Sequence, residues 1–148
     1  FTKVSIGIGS LVDNIKDIAR SYREAQAALE VGRVFDTDKN IVSYENLGIG
    51  RLIYQLPTTL CEMFLNEVFK KGSIEALETL STIQCFFENN LNVSETSRKM
   101  FVHRNTLVYR LDKIKKLTGL DLREFDNAIT FKVALMVKSY LVSKNNRY

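Results

Sequence analysis

The sequence contains no tryptophan, one proline, one histidine and two cysteines among its 148 residues. The histidine and the cysteines, His103, Cys61 and Cys85, are not spaced as metal ligands, and we expect neither a metal nor another cofactor. We interpret both cysteines as reduced thiols of a cytoplasmic protein. The apolar runs are too short to cross a bilayer, while an apolar content of 45% is enough to form a buried core.

Residues 92–119 predict two short helices joined by a turn. Asn92 or Ser94 can cap the first helix, and Glu95 can complete a capping box with Asn92. The helical pattern then breaks at Phe101, which occupies a position often filled by glycine, so we expect a turn without positive φ. The second helix places Leu107, Leu111 and Ile114 on one buried stripe and ends at Gly119.

Positive charge is concentrated in this stretch. Residues 92–116 contain seven Lys or Arg and two acidic residues, a balance of +5, whereas residues 1–91 carry −3 and residues 117–148 carry +2. Such a helix can enter the major groove of DNA, where Arg reads guanine and Asn reads adenine. The residues that we expect to bind double-stranded DNA are Ser94, Thr96, Arg98 and Lys99 from the first helix and His103, Arg104, Asn105, Thr106, Tyr109, Arg110 and Lys113 from the second. For His103 we favour a cap or turn position of the second helix over a base contact, and for Tyr109 a core position is the alternative to a phosphate contact.

The same stretch resembles a known family. Its run HRNTLVYRLDKIKKLTGLDL, preceded by NVSETSRKMFV and followed by ALMVKSYL, looks like the C-terminal DNA-binding domain of the PucR/CdaR family of bacterial transcriptional regulators. It is also similar in spacing to the factor-for-inversion-stimulation type of motif. The resemblance implies a sequence-specific regulator, and not an enzyme, that controls a catabolic or metabolic operon. It also implies an effector small molecule that is bound by a region upstream of this chain.

Residues 1–50 predict a strand, a helix and a second strand. The first strand is at 3–8, with Val4, Ile6 and Ile8 on one face, and the second strand is at 41–44. The helix between them is at 13–31 and ends at Gly32. Its apolar side consists of Ile15, Ile18, Ala19, Tyr22, Ala25, Ala28 and Leu29. This order resembles the last third of a GGDEF-like domain, although the GGDEF letters are absent. The other face of the first strand carries small residues, so we expect this half-buried strand to pass close to another backbone. We expect its Val/Ile face to be covered by helices of this chain or by a second copy.

Residues 51–148 predict helices. Beyond the two described above, we expect helices at 51–71 with a break at Pro57, from Ser73 to Glu88, and from a capping box of Asp121 and Glu124 to a polar tail that begins at Lys144. We expect the first of these three helical stretches to bury Leu60, Phe64 and Val68 and the second to bury Leu77, Leu80, Ile83 and Phe87. We expect the last helix to bury Phe125, Ile129, Val133, Met136, Val137 and Tyr140. The fold class is therefore mainly α, or α+β overall. A helix-turn-helix domain at 51–148 follows the strand-helix-strand remnant of a GGDEF-like domain at 1–50.

Two other functions stay open on the residues alone. One is a nucleotide-binding or degenerate cyclase-like module at 1–50, although the sequence has no paired carboxylates and no phosphate loop there. The other is a helical interaction module without a nucleic-acid role. We also expect a homodimer, because one helix-turn-helix reads too few base pairs to select a site. Since the first residue is Phe1 and not Met, we expect the chain to be a piece of a longer protein.

Overall fold

The computed structural model describes residues 4–35, 38–69 and 77–145. These residues form seven α-helices and one small sheet, in the order β1 (Ile6–Ile8), α1 (Ile18–Phe35), β2 (Ile41–Ser43), α2 (Gly50–Ile53), α3 (Thr58–Val68), α4 (Leu77–Glu88), α5 (Val93–Lys99), α6 (Arg104–Thr118) and α7 (Phe125–Asn145). The mainly α fold class that the sequence predicts is confirmed. Every helix within the described ranges is too short or too polar to cross a membrane.

The chain divides into two compact units. The first contains Phe1–Glu62 together with Met136–Tyr148, and the second contains Met63–Leu135. The predicted domain boundary at residue 50 stays a prediction.

The first unit contains a parallel two-stranded sheet, in which Ile6 of β1 lies opposite Ile41 of β2. Gly7 faces α1 so closely that an added Cβ would collide with the carbonyl oxygen of Ala25. Only glycine allows this approach, and the predicted closeness to another backbone is therefore confirmed. The buried core of the unit is formed by Ala28, Val31, Val42 and Leu47.

The other face of β1 is exposed. Val4, Ile6 and Ile8 are 61%, 48% and 47% exposed, respectively. The prediction that helices of this chain cover them is wrong for the described residues. The reason is that α1 packs on the face of the strand that carries Gly7, because the missing side chain lets the helix come close there.

The first long helix begins and ends later than the sequence predicts. Residues Ile15–Asp17 form a 3-10 helix, and α1 follows it. Gly32, the predicted stop, lies inside α1 and is buried, because the side chain of Val42 fills the space that a Cβ would need, 2.7 Å away. The predicted apolar stripe is wrong at its start, where Ile15, Ile18 and Tyr22 are exposed, and right at Ala28, which is buried.

The second unit has one contiguous core. Its fully buried members are Ile83, Phe86, Leu107, Leu111, Ile114, Leu122 and Phe131. They come from α4, from α6, from α7 and from the segment between α6 and α7. The three members on α6 are the stripe that the sequence predicts for the second helix of the motif, and that prediction is confirmed. One face of α6 is therefore committed to the core.

The other predicted stripes are right at some positions and wrong at others. In α3, Cys61 is buried, whereas the predicted Leu60 is 49% exposed. In α4, the predicted Ile83 is fully buried, and so is Phe86, which the sequence does not predict. In α7, the predicted Val137 and Tyr140 are buried, together with Ala128, Phe131 and Ala134, whereas the predicted Phe125 and Ile129 are exposed. Because successive helical residues are about 100° apart, an error of one position, as at Leu60 and Ile129, turns the side chain away from the core.

The predicted helix ends are only partly tested. The break at Pro57 is confirmed, because α2 ends before it and α3 begins just after it. Ser73, the predicted cap of α4, and residues 146–148 lie outside the described residues. The polar tail was predicted to begin at Lys144, but α7 continues to Asn145.

Candidate nucleic-acid interface

α5 is anchored at its start by hydrogen bonds to Asn92. The side-chain oxygen of Asn92 accepts a bond from the backbone N–H of Glu95 at 3.0 Å, which confirms it as the cap. The hydroxyl of Thr96 donates to the backbone carbonyl of Asn92 at 2.7 Å. Thr96 is 0% exposed, so a contact between Thr96 and DNA does not fit its position. It stabilises the first turn of α5 instead.

The turn between α5 and α6 uses a left-handed residue. Phe101 has a φ of 54°, and its backbone N–H donates to the carbonyl of Arg98 at 3.1 Å. The N–H of Val102 donates to the carbonyl of Ser97 at 3.0 Å. These two bonds form the usual closure of a helix around one left-handed residue. The expectation of a turn without positive φ is therefore wrong, because the closure of α5 requires this conformation although the residue is Phe.

The ends of α6 are set by one extended and one left-handed residue. His103 is extended and precedes the helix, and its exposed side chain makes no capping hydrogen bond. Gly119 has a φ of 80°, and its N–H donates to the carbonyl of Lys115 at 2.8 Å. The predicted end of the helix is therefore confirmed, since glycine takes this conformation at little cost.

The outer face of α6 carries polar and aromatic side chains. Because the buried stripe occupies one side of the helix, residues displaced by half a turn point away from the core. Tyr109 is 70% exposed, which rules out the alternative that it belongs to the core. The exposed residues of α6 that could reach a ligand are Arg104, Asn105, Thr106, Tyr109, Lys113 and Lys116.

Arg110 occupies a different position from the other predicted contacts of α6. Its side chain is half-buried, and its Nη1 atom donates to the hydroxyl of Thr82 at 3.3 Å. Thr82 is itself fully buried on α4. Arg110 therefore links α6 to α4 in the second unit. This contact was not predictable, because the two residues are 28 positions apart.

The cations of α5 lie on the surface. Arg98 pairs with Glu95 at 2.6 Å, and both side chains are largely exposed, so the pair contributes little to stability. Ser94 and Lys99 are also exposed. The structure thus places three of the four predicted α5 residues where a ligand could meet them, and it buries only Thr96.

An ionic cluster fixes the C-terminal end of α6. Asp121 accepts bonds from Lys115 at 3.0 Å and from Arg123 at 2.8 Å, and Arg123 also reaches Asp112 at 2.7 Å. Asp121 is only 8% exposed. The hydrogen bond from Arg123 holds the pKa of the Asp121 carboxyl well below its usual range.

This cluster corrects the sequence prediction for Asp121. The residue was predicted to form a capping box with Glu124, yet its carboxylate joins the end of α6 to the segment that follows. The backbone N–H of Arg123 also donates to it at 3.1 Å. Spacing along the chain gives no signal for this arrangement, because it arises from the direction the backbone takes after Gly119.

The described residues hold no group of three or more His, Cys, Asp or Glu side chains that could bind a metal ion. Cys61 is buried and Cys85 is partly buried, and both are free thiols. Burial raises the pKa of the Cys61 thiol, which makes it less reactive. The exposed face of α6 offers a ligand hydrogen-bonding groups, an aromatic side chain and positive charge.

Comparison with known proteins gives two family matches. The PucR C-terminal helix-turn-helix domain matches residues 79–137, which include α5 and α6, and a GGDEF-like domain matches residues 1–31. Residues 79–137 therefore belong to the PucR-type helix-turn-helix domains of transcriptional regulators. The resemblance that the sequence suggests is confirmed for both parts of the chain.

The family relatives include regulators from two bacteria. The chain is 28% identical to a purine catabolism regulatory protein of Bacillus subtilis, covering 91% of this chain and 26% of that protein. It is 32% identical to a carbohydrate diacid regulator of Escherichia coli, covering 89% of this chain and 35% of that protein. The chain thus spans about a quarter to a third of the length of these relatives.

A third relative and one solved structure complete the comparison. A proline-responsive transcriptional activator of Bacillus subtilis is 27% identical over 92% of this chain and 34% of its own length. The solved structure is a regulator of polyketide synthase expression from Bifidobacterium adolescentis, which is 21% identical and has a TM-score of 0.48. The match covers 80% of this chain and 50% of that one.

Proposed function

We propose that this chain is the DNA-binding part of a transcriptional regulator and that α6 enters the major groove of double-stranded DNA. The observation that carries the proposal is the two-sided character of α6. One stripe of the helix is fully buried in the core, and the opposite face presents an amide, a hydroxyl, a phenol and two ammonium groups to solvent, together with the carboxylate of Asp112, which is paired with Arg123. An α-helix fits the major groove, where such groups meet base edges and phosphates.

The roles within the interface follow from position. Arg104 and Asn105 lie in the first turn of α6, the part of such a helix that reaches base edges, with exposed His103 and Thr106 beside them. Tyr109 and Lys113 lie further along the outer face and suit phosphate contacts. Ser94, Arg98 and Lys99 of α5 are placed to contact phosphates from the second helix. We assign Arg110 to holding α6 in place through its bond to Thr82, instead of the base contact that the sequence predicts.

The wider role is proposed from the family. The names of three relatives refer to purine catabolism, carbohydrate diacids and proline, all of which concern small metabolites. We propose that this protein also controls a catabolic or metabolic operon in the cytoplasm. The effector would be a small molecule bound by a region upstream of this chain.

We also propose that the protein acts on DNA as a homodimer. One copy of α6 covers only a few base pairs, whereas a two-fold pair reads two half-sites separated by about one DNA turn, roughly 34 Å. The exposed Val/Ile face of β1 is one surface of the first unit that a second copy could cover.

The test is a binding measurement with a duplex selected by the wild-type chain from a random pool. Asn105→Ala should weaken binding to the selected duplex by about 1–3 kcal/mol, and it should have much less effect on random DNA. Lys113→Ala should weaken binding to both by a similar factor and reduce the salt slope by about one. The two variants thus separate sequence reading from phosphate contact.

Lys132→Ala is the matched control, because Lys132 is an exposed lysine of the same unit that belongs to α7 and not to α5 or α6. It should leave the affinity for both duplexes unchanged. Failure of the wild-type chain to bind any duplex at low salt would overturn the proposal. Equal losses for Asn105→Ala on selected and random DNA would show that α6 holds phosphates and does not read bases.

A further inference from the structure

Phe101 is a large apolar side chain in a place that gives it no packing. It is 96% exposed, which is more than any other aromatic residue among those described. It also has a φ of 54°. The left-handed conformation costs a non-glycine residue about 1–2 kcal/mol, and glycine would take it freely. Neither the fold of the turn nor the core therefore explains why the residue is Phe.

The surroundings of Phe101 indicate the kind of partner. Lys99 lies two residues before it and Arg104 three residues after it, and both are exposed. The nearest acidic residue before it, Glu95, is paired with Arg98. A partner for this site must therefore be anionic and must also offer an apolar surface. Nucleotides have both, since a thymine methyl group or a deoxyribose lies beside each phosphate.

We propose that Phe101 contacts an apolar part of a nucleotide, either a thymine methyl group or a deoxyribose, beside the groove that α6 enters. This inference rests on the proposed DNA binding of α6. The turn leads directly into the first residues of α6, so a side chain that projects from it lies next to the base-reading end of that helix. The left-handed conformation of Phe101 closes α5 and at the same time leaves the phenyl group in solvent, where it is available for DNA.

The test compares variants that keep the turn but remove the ring. Glycine and asparagine both accept a left-handed φ, so Phe101→Gly and Phe101→Asn should fold as the wild type does. Both should bind the selected duplex about tenfold more weakly, which corresponds to the loss of partial burial of a phenyl group. Phe125→Ala is the matched control, because Phe125 is a 68% exposed phenylalanine of the same unit that lies outside α5 and α6. The Phe125→Ala variant should bind the selected duplex as tightly as the wild type does.

A second arm distinguishes the two apolar partners. Each thymine of the selected duplex is replaced in turn by uracil, which removes only the methyl group. If Phe101 touches a methyl, one replacement weakens wild-type binding about fourfold and leaves Phe101→Gly unaffected. If Phe101 touches a sugar, no replacement separates wild type from Phe101→Gly, yet the tenfold loss remains. Either result supports the proposal.

Thermal unfolding tests whether the ring of Phe101 stabilises the turn. Phe101→Gly should melt at the wild-type temperature or about 2–4 °C above it, because strain is removed and no packing is lost. A lower melting temperature would show that the ring stabilises the turn, and it would overturn the proposal. Wild-type affinity in Phe101→Gly, with Asn105→Ala still impaired, would overturn this inference alone. Failure of the wild type to bind DNA would instead overturn the proposed function.

Discussion

The sharpest structural prediction concerns Leu111, which lies at the centre of the buried stripe of α6. Its side chain is 0% exposed and is flanked by Leu107 and Ile114, which are equally buried. Leu111→Ala leaves a cavity in a core that includes two phenyl rings, Phe86 and Phe131. Rigid rings collapse poorly into such a space, so we expect a loss of about 3 kcal/mol or more, within the usual range of about 2–5 kcal/mol for Leu to Ala.

The assay is thermal unfolding followed by circular dichroism. For a chain of this size, about 2–4 °C is lost per kcal/mol, so a loss of about 3 kcal/mol lowers the melting temperature by about 6–12 °C. Leu117→Ala is the matched control on the same helix, because Leu117 is 39% exposed and its removal should cost less than about 1 kcal/mol. At low temperature, where Leu111→Ala is folded, its DNA affinity should match the wild type. An unchanged melting temperature combined with lost binding would put Leu111 on the outer face and refute the orientation of α6.

Two further predictions concern the ionic cluster and assembly. Asp121→Asn should lower the free energy of unfolding at pH 7 by about 1–3 kcal/mol in urea titrations, because Lys115 and Arg123 lose their shared partner. The pKa of Asp121 is lower in the folded state than in the unfolded state, so its contribution to stability is complete above about pH 5. The difference between wild type and variant should shrink below that pH, and a constant difference would contradict this. Sedimentation at micromolar concentration should detect a dimer on a palindromic duplex with half-sites one turn apart, and a strict monomer there would refute the proposed pairing.

The local features of the motif could be predicted from the sequence because they depend on neighbouring residues. The cap at Asn92 needs only a short polar side chain followed by a free backbone N–H three residues later. The buried stripe of α6 follows from apolar residues at helical spacing, and the end at Gly119 follows from the freedom of glycine. Each of these signals lies within one or two helical turns.

Features that depend on tertiary packing could not be predicted in this way. Gly32 was expected to stop a helix, but it is a contact point between α1 and the side chain of Val42. Phe101 was expected to avoid positive φ because propensity disfavours it, but the closing hydrogen bonds of α5 decide the conformation. Arg110 was expected to read a base, and only the position of Thr82 on α4 shows that it has another partner.

The same contacts change the meaning of the positive charge in residues 92–116. Seven cations and two acidic residues give this stretch its balance of +5, but Lys115 is engaged by Asp121 and Arg110 by Thr82, and Arg104 is assigned to base edges in the proposed interface. A cation that already has a partner releases fewer counterions from DNA when it binds. The four others are Lys99, Lys113, Lys116 and Arg98, whose exposed pair with Glu95 is weak. With about 0.9 counterions released per phosphate contact they predict a salt slope near −4 per copy of the chain, where all seven would give about −6. The proposed interface thus divides a charge cluster that is uniform in sequence into cations that hold α6 in place and cations that contact DNA.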